Sequence, residues 1–249
     1  MRVIIAIFFF VSTFSVYAQV KLPKEDVSEK LLFASEKSYG IIIHSNGWGI
    51  NYRYAKVLNV DNKLIYDGEF VTQRHPKEYR YSSNVRNDAK SFVYGKLNSV
   101  VSLRGGVGFQ KTLFRKENSS SIEIRYTISG GPSFGFAKPV YLEVFAPSID
   151  PDRVFSRVEK YNPYKHDLSN IIGRASFGRG LSQTKIYPGL YAKAAMQFEY
   201  STEDEYLKFI ELGSVVDIYP KPIPQMAYTK QYSWLLSVYV SFNFGNKNY

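Results

Sequence analysis

Period-two alternation of apolar and polar side chains is the feature that most limits what this chain can fold into. The last stretch shows it plainly: Trp234, Leu236, Val238, Val240, Phe242 and Phe244 take every second position, and Ser233, Ser237, Ser241 and Asn243 fill most of the gaps. Successive side chains of a strand point to opposite faces, so this segment has one large apolar face and one small, wet face. The pattern recurs upstream. Ile122, Ile124, Tyr126, Ile128, Phe134 and Phe136 alternate with Glu123, Arg125, Thr127 and Ser129. Ile186, Leu190, Ala192, Ala194, Met196 and Phe198 alternate with Tyr191, Lys193, Gln197 and Glu199. Ile210, Leu212, Val216 and Ile218 alternate with Glu211 and Asp217, less cleanly, because Leu207, Phe209 and Val215 share the polar parity. Val101, Leu103, Val107 and Phe109 oppose Ser102, Arg104 and Gln110; Trp48, Ile50, Tyr52 and Tyr54 oppose Asn51 and Arg53; Leu64, Tyr66 and Phe70 oppose Asp67 and Glu69. A short strand over 39–45 joins the next through Asn46-Gly47, a tight-hairpin dipeptide.

These segments predict eight strands, at 39–45, 48–58, 63–73, 96–112, 120–136, 185–200, 205–219 and 232–244. An even count suits a closed antiparallel barrel. Connections alternate in length: 59–62, 113–119 and 201–204 are short, whereas 74–95, 137–184 and 220–231 are long, with the first hairpin the exception. Short turns at one end and long loops at the other predict an all-β fold, an antiparallel transmembrane β-barrel with periplasmic turns and extracellular loops. Val140, Leu142 and Val144 continue the parity of the fifth strand, which leaves a further hairpin and a ten-stranded barrel open.

The N-terminus fits that destination. Arg2, an apolar run from Val3 to Val11 and the small-residue end Val16-Tyr17-Ala18 predict a signal peptide over residues 1–18, cut between Ala18 and Gln19. A short periplasmic segment is then expected over 19–37 and the outer-membrane barrel over 38–249; the one candidate helix is short, Asp26–Ala34. No later window supplies an apolar span, and mean hydropathy is −0.24, which excludes a helical membrane protein. The chain has no cysteine, hence no disulfide staple and no thiolate chemistry. A net charge of +10 often signals nucleic acid, but export and the absence of a basic run argue against that partner. The charge points instead to outer-membrane lipid, lipopolysaccharide or anionic polysaccharide, or to an outer-membrane protein complex. Aromatic residues reach 16%, material for interfacial girdles. Trp48 and Trp234 each begin a descending strand, which places them at the outer interface, and Phe242 and Phe244 are expected at the inner one.

The terminal strand ending in aromatics resembles the signal that delivers outer-membrane barrels to their assembly machinery. The phrases YGKLNSV (94–100), GFAKPVYLE (135–143), IYPGLYAKA (186–194) and DIYPKPIP (217–224) resemble a family of uncharacterised outer-membrane β-barrels from Bacteroidetes-type bacteria. That resemblance implies fold and location and carries no activity. The chain departs from the general pattern by running five residues past Phe244 to Tyr249.

Candidate chemistry lies on the polar parity. Arg53, Asp67, Glu69, Arg104, Glu123, Arg125, Lys193, Glu199, Glu211 and Asp217 should all point inward. An eight-stranded interior is just filled by side chains, so these charges are expected to pair as an ionic plug, with Arg125 not partnered by Glu123 of its own strand. Lys193 with Asp217, and Arg104 with an acid across the bore, are the expected kinds of pair. The three histidines, His44, His75 and His166, are dispersed and suggest no metal site. No cofactor is implied, and the glycines of LRGGVGFQK (103–111) and SGGPSFGFAK (129–138) read as strand glycines. The long segment 137–184 mixes aromatics with arginines, as interfaces do: Arg153, Phe155, Arg157, Tyr161, Tyr164, Arg174 and Phe177. It is expected to be either an interaction loop or a lid. The resulting expectation is a closed-lumen scaffold or accessory subunit acting through its extracellular loops. The alternatives are a lipid-modifying enzyme, or a small diffusion channel if the strands number ten or more.

Overall fold

The alternation closes on itself. A computed structural model describes residues 33–82, 89–116, 121–146, 155–203 and 205–248, so the signal-peptide expectation with Ala18 and Gln19 lies outside the described residues, as does Arg153. The strands in chain order are β1 (Ser35–His44), β2 (Gly47–Val57), β3 (Asn62–Gln73), β4 (Arg80–Tyr81), β5 (Phe92–Val93), β6 (Asn98–Phe114), β7 (Glu123–Pro139), β8 (Tyr141–Phe145), β9 (Ser156–Lys160), β10 (Ile171–Arg174), β11 (Lys185–Glu199), β12 (Tyr206–Ile218) and β13 (Trp234–Asn248). Eight of them form a closed barrel in the order β1-β13-β12-β11-β7-β6-β3-β2, and every pairing is antiparallel.

Burial is inverted relative to a water-soluble protein. Outward positions such as Ile41, Trp48, Ile50, Leu190, Leu236 and Val238 are exposed, whereas Arg104, Arg125, Gln110, Gln197 and Glu199 are fully buried inside. A continuous apolar wall of this size is stable only when hydrocarbon solvates it. Closure satisfies the wall's backbone ladders without leaving an edge, the condition for spanning a bilayer with strands. The chain is a transmembrane barrel with short turns at one end and long loops at the other. Trp48 and Trp234 face outward at the long-loop end, each about half exposed, and Phe242 and Phe244 share the same outer wall.

The wall is longer at its short-turn end than the alternation predicts. β1 begins at Ser35 and β13 runs to Asn248, paired Ser35↔Asn248 through Tyr39↔Phe244. The barrel therefore starts before residue 38, and the residues after Phe244 continue the strand. Phe242 and Phe244 are set in from its end. Polar side chains carry this extension: Glu36 turns inward to Lys63 and Arg125, and Lys247 turns inward to Glu199. Gly245 sits on the seam, where a Cβ would overlap the Lys37 carbonyl. Inside the bore, a Cβ on Gly106 would overlap the Tyr191 hydroxyl, so these strand glycines make room for close approach.

The extra hairpin after the fifth long strand exists, but it leaves the wall. β8 pairs with β9 and β10 in a separate three-stranded sheet, while β7 pairs directly with β11. Pro139, the last residue of β7, has no N–H to continue the ladder. The barrel thus has eight strands, which removes the premise of the channel reading. The small sheet, with the two-stranded β4–β5, forms a cap at the long-loop end around Phe92, Leu142, Val144, Tyr161 and Ile171, with Tyr94, Leu97 and Ala227 packed against them. A different loop covers the bore. Ile223 of the 219–233 connection packs onto Val100, Ala137 and Tyr219 inside the mouth.

The two tryptophans report this placement directly. In lipid vesicles, single-tryptophan variants retaining Trp48 or Trp234 should be quenched more strongly by a nitroxide near the headgroup than by one at mid-chain. Equal quenching by an aqueous quencher and no response to either lipid probe would contradict the assignment of the outer wall.

Candidate functional site

Two regions concentrate functional side chains: the bore and the cap. In the bore, inward parity brings charges from every wall strand except β13 above its last turn into three tiers. At the short-turn end, Arg125 donates to Glu123 at 2.5 Å and Glu36 at 3.1 Å, and also binds Glu199. Lys63 adds a 2.6 Å bond to Glu36, while Lys116 and Lys247 close on Glu199 at 3.4 and 2.8 Å. In the middle, Lys193 meets Glu69 at 2.6 Å, Asp67 at 3.0 Å and Glu211 at 3.7 Å. Arg53 grips Glu211 with two bonds of 2.5 and 3.1 Å, and the Tyr239 and Tyr191 hydroxyls donate to Glu211 and Asp67. Toward the long-loop end, Arg104 makes bonds of 2.9 and 2.5 Å to Asp217 and 3.0 Å to Glu69, and Ser133 donates to Asp217 at 2.8 Å.

Every predicted lumen charge therefore points inward and is paired, but two expected pairings change. Glu123 does partner Arg125. Residues two apart on a strand share a face, and a guanidinium on a long stem reaches that spacing. Lys193 goes to Asp67, Glu69 and Glu211, not to Asp217, whose oxygens are taken by Arg104 and Ser133. Glu36, Lys63, Lys116 and Lys247 complete the set and lie at strand ends, where alternation is too short to read. Leu207, Phe209 and Val215 are buried as their parity requires, and the Arg53 guanidinium lies 5.9 Å from the Phe209 ring centre. With these four, seven bases (Arg53, Lys63, Arg104, Lys116, Arg125, Lys193, Lys247) face seven acids (Glu36, Asp67, Glu69, Glu123, Glu199, Glu211, Asp217). The pairs span the bore, β2 to β12 and β6 to β12, so they plug it. Among the described residues these fourteen charges balance.

Among the described residues each histidine accepts a hydrogen bond from a nearby backbone N–H. His44 faces the bore, where its Nδ1 accepts from the Asn46 N–H, while Ser45 lies on the other side of the strand. Both ring nitrogens of the buried His166 are engaged, Nδ1 by the Asn162 N–H and Nε2 by Glu159 at 3.1 Å. His75 Nδ1 accepts from the Lys77 N–H. No cluster of three or more His, Cys, Asp or Glu side chains able to hold a metal occurs among the described residues.

The candidate interaction loop splits into core and surface. Tyr161 is 4% exposed, beside Tyr94 and His166, and burial pushes its hydroxyl up to about 12. It builds the cap and presents nothing, a correction caused by β9 folding back onto β8. Phe155, Arg157, Tyr164, Arg174 and Phe177 are exposed, Tyr164 almost completely. Arg157 is held by Glu159 at 2.8 Å. Charge separates sharply along the barrel axis. In sequence, segments 74–97, 138–185 and 219–233, the long connections with the strand ends beside them, contain sixteen Lys and Arg against seven Asp and Glu, or nine of the ten net positive charges.

The plug yields a quantitative expectation. Arg53→Met leaves Glu211 buried without its main cation and should cost about 3–5 kcal/mol, whereas adding Glu211→Gln should restore a large part of it. Urea unfolding of the four members of this cycle measures the coupling. Strictly additive losses would show that the pair acts as two independent side chains.

No protein-family model and no curated protein sequence matches the chain. The likeness of four phrases to Bacteroidetes-type barrels therefore has no support beyond the sequence. Among solved structures, the chain is similar to Ail, the attachment invasion locus protein of Yersinia pestis, at 12% identity and TM-score 0.41, over 86% of this chain and 97% of that one. The complex of Ail with the heparin analogue sucrose octasulfate gives 12% identity and TM-score 0.40 over the same shares. Neisserial surface protein A gives 7% and 0.41, over 86% of this chain and 95% of that one.

Proposed function

We propose that this chain is an integral outer-membrane barrel whose bore is a structural plug and whose long-loop cap is its working surface. It acts as a scaffold or accessory subunit, meeting an outer-membrane complex or an anionic surface glycolipid such as lipopolysaccharide. Kinship with Bacteroidetes-type barrels, and export by a signal peptide cut between Ala18 and Gln19, belong to the same proposal. The supporting observation is the separation of charge: the charges of the bore are paired, while nine of the ten net charges fall in the long connections and the strand ends beside them, segments 74–97, 138–185 and 219–233. Exposed Tyr164, Phe177 and Arg174 supply the aromatic and guanidinium side chains that interfaces favour.

Two measurements test this. The chain has no cysteine, so single cysteines introduced at Tyr164 or Lys221 should react with an impermeant maleimide on intact cells, and those at Asp61 or Glu203 should react only after lysis. Reversal would place the long loops in the periplasm. Affinity purification from outer membranes in mild detergent should bring down a stoichiometric protein or glycolipid, lost when Arg174 and Phe177 are replaced by Ser. A barrel recovered alone, from membranes where labelling is correct, would refute the scaffold reading.

A further inference from the structure

One cation at the rim of the barrel is unlike those of the bore. Lys138 is the penultimate residue of β7 and shares the outward parity of Phe134 and Phe136. On the neighbouring strand Ile186 pairs with Phe136 and is 61% exposed, so Lys138 is the first charge of outward parity above the apolar belt on β7, Lys185 beside it sharing the inward parity of Ala137. Its ammonium is held against the outside of the wall by the connection that follows β10. It donates to the carbonyls of Phe177 at 2.9 Å and Arg179 at 3.2 Å, and lies 4.6 Å from the centre of the Phe177 ring. An ammonium has three donors, and these carbonyls use two. No carboxylate pairs with Lys138 or Arg179 among the described residues, in contrast to every cation of the bore.

The clip over Lys138 is built rigidly. Gly180 adopts φ 83, a left-handed conformation, and a Cβ there would meet the Tyr141 ring at 2.7 Å. The Tyr141 hydroxyl donates to Gln183, and Thr184 donates to the Leu181 carbonyl, which fixes the turn from both sides. Held this way, Phe177 and Leu181 remain 75% and 52% exposed on the lipid-facing flank, and the Arg179 side chain is exposed beside them. Exposed apolar side chains framing unpaired cations at the edge of an apolar belt match the chemistry of a headgroup layer: rings and aliphatics toward acyl chains, ammonium and guanidinium toward phosphate.

We propose that Lys138 and Arg179, framed by Phe177 and Leu181, bind the phosphate of a membrane lipid in the leaflet at the long-loop end. In the outer membrane that lipid is a phosphorylated glycolipid. The inference rests on the membrane placement above and gives the cap's anionic partner a defined contact. Arg179 supplies the planar fork that suits phosphate oxygens, and Lys138 supplies a fixed point charge.

The test uses the full barrel in a phosphate-free maltoside detergent, titrated with lipid A that carries its phosphates and with lipid A stripped of them. Co-purified lipid is quantified by mass spectrometry. The barrel should retain the phosphorylated form preferentially, and Arg179→Gln should cut that preference about fivefold, given roughly 1 kcal/mol per cation near an anionic headgroup. The Arg179 side chain is exposed, so its loss leaves the fold intact; Lys138→Gln should lower the preference further. Equal retention of both lipids, or an Arg179→Gln variant indistinguishable from wild type, would overturn the site. Displacement of the lipid by millimolar inorganic phosphate would overturn the assignment to a lipid. A folded barrel that takes up neither lipid and will not enter vesicles would defeat the membrane placement itself, and the site with it.

Discussion

Seven acids and seven bases confined to one bore set the terms for the rest of the molecule. An unpaired carboxylate or ammonium costs several kcal/mol when moved from water into a protein interior, and the interior of an eight-stranded barrel has no room for bulk water to relieve it. Each inward charge must therefore meet its complement from another strand or two residues along its own, as Arg53 meets Glu211 and Arg125 meets Glu123. This requirement selects the register. Sliding one strand by a single residue would turn Arg104 or Lys193 toward lipid, where an Arg or Lys at the bilayer midplane costs about 2–4 kcal/mol. It would also leave Asp217 or Glu69 without a partner. Apolar packing on the outer wall cannot discriminate so sharply, because hydrocarbon accepts Leu, Val or Phe at nearly any position.

The same requirement explains why the wall recruits the ends of the chain. Arg125 and Glu199 lie near the short-turn mouth, and their remaining valences are met by Glu36 from the start of β1, Lys247 from the end of β13 and Lys116 from beyond β6. Closure of β1 on β13 is thus supported by backbone pairing and by side chains that bridge to β7 and β11. At the opposite mouth the solution is apolar: Ile223 packs on Val100, Ala137 and Tyr219, beneath a separately built cap.

Strand existence and facing were legible in the sequence because period two is a strong local signal, and all eight wall strands overlap their predicted segments. Pairing across the bore was not legible. Parity says that Lys193 points inward, but which of Asp67, Glu69, Glu211 and Asp217 it reaches depends on barrel stagger, which no local pattern encodes. The ends of β1 and β13 were missed because Ser35–Ser38 and Gly245–Asn248 are polar on both faces. Outside the apolar belt nothing compels alternation. Tyr161 looked like an interface aromatic because Arg and Tyr together suggest a surface, yet the fold-back of β9 buries it. For the cap, composition gave the chemistry, and only tertiary structure sorted its core from its face.

A filled and neutral bore also changes what the overall charge means. With the plug contributing nothing and the outward-facing Lys37, Lys56, Lys111 and Lys208 lying toward the short-turn end of the wall, most of the excess positive charge of the chain falls in the long connections and the strand ends beside them. Charges confined to loops outside the bilayer act through water, where fields fade over about 8–10 Å at physiological salt, so they favour ligands that come to the surface. Pairing among themselves is limited, since sixteen cations there have only seven acids to meet. The excess must be neutralised by counter-ions or by an anionic ligand, and a ligand anchored in the same membrane has an entropic advantage over one arriving from solution. That advantage applies most directly to the proposed contact of Lys138 and Arg179 with a lipid phosphate, and less to the exposed Tyr164 of the cap. A single barrel can therefore hold lipid at its edge and present a second surface above it, two roles separated by height along one axis.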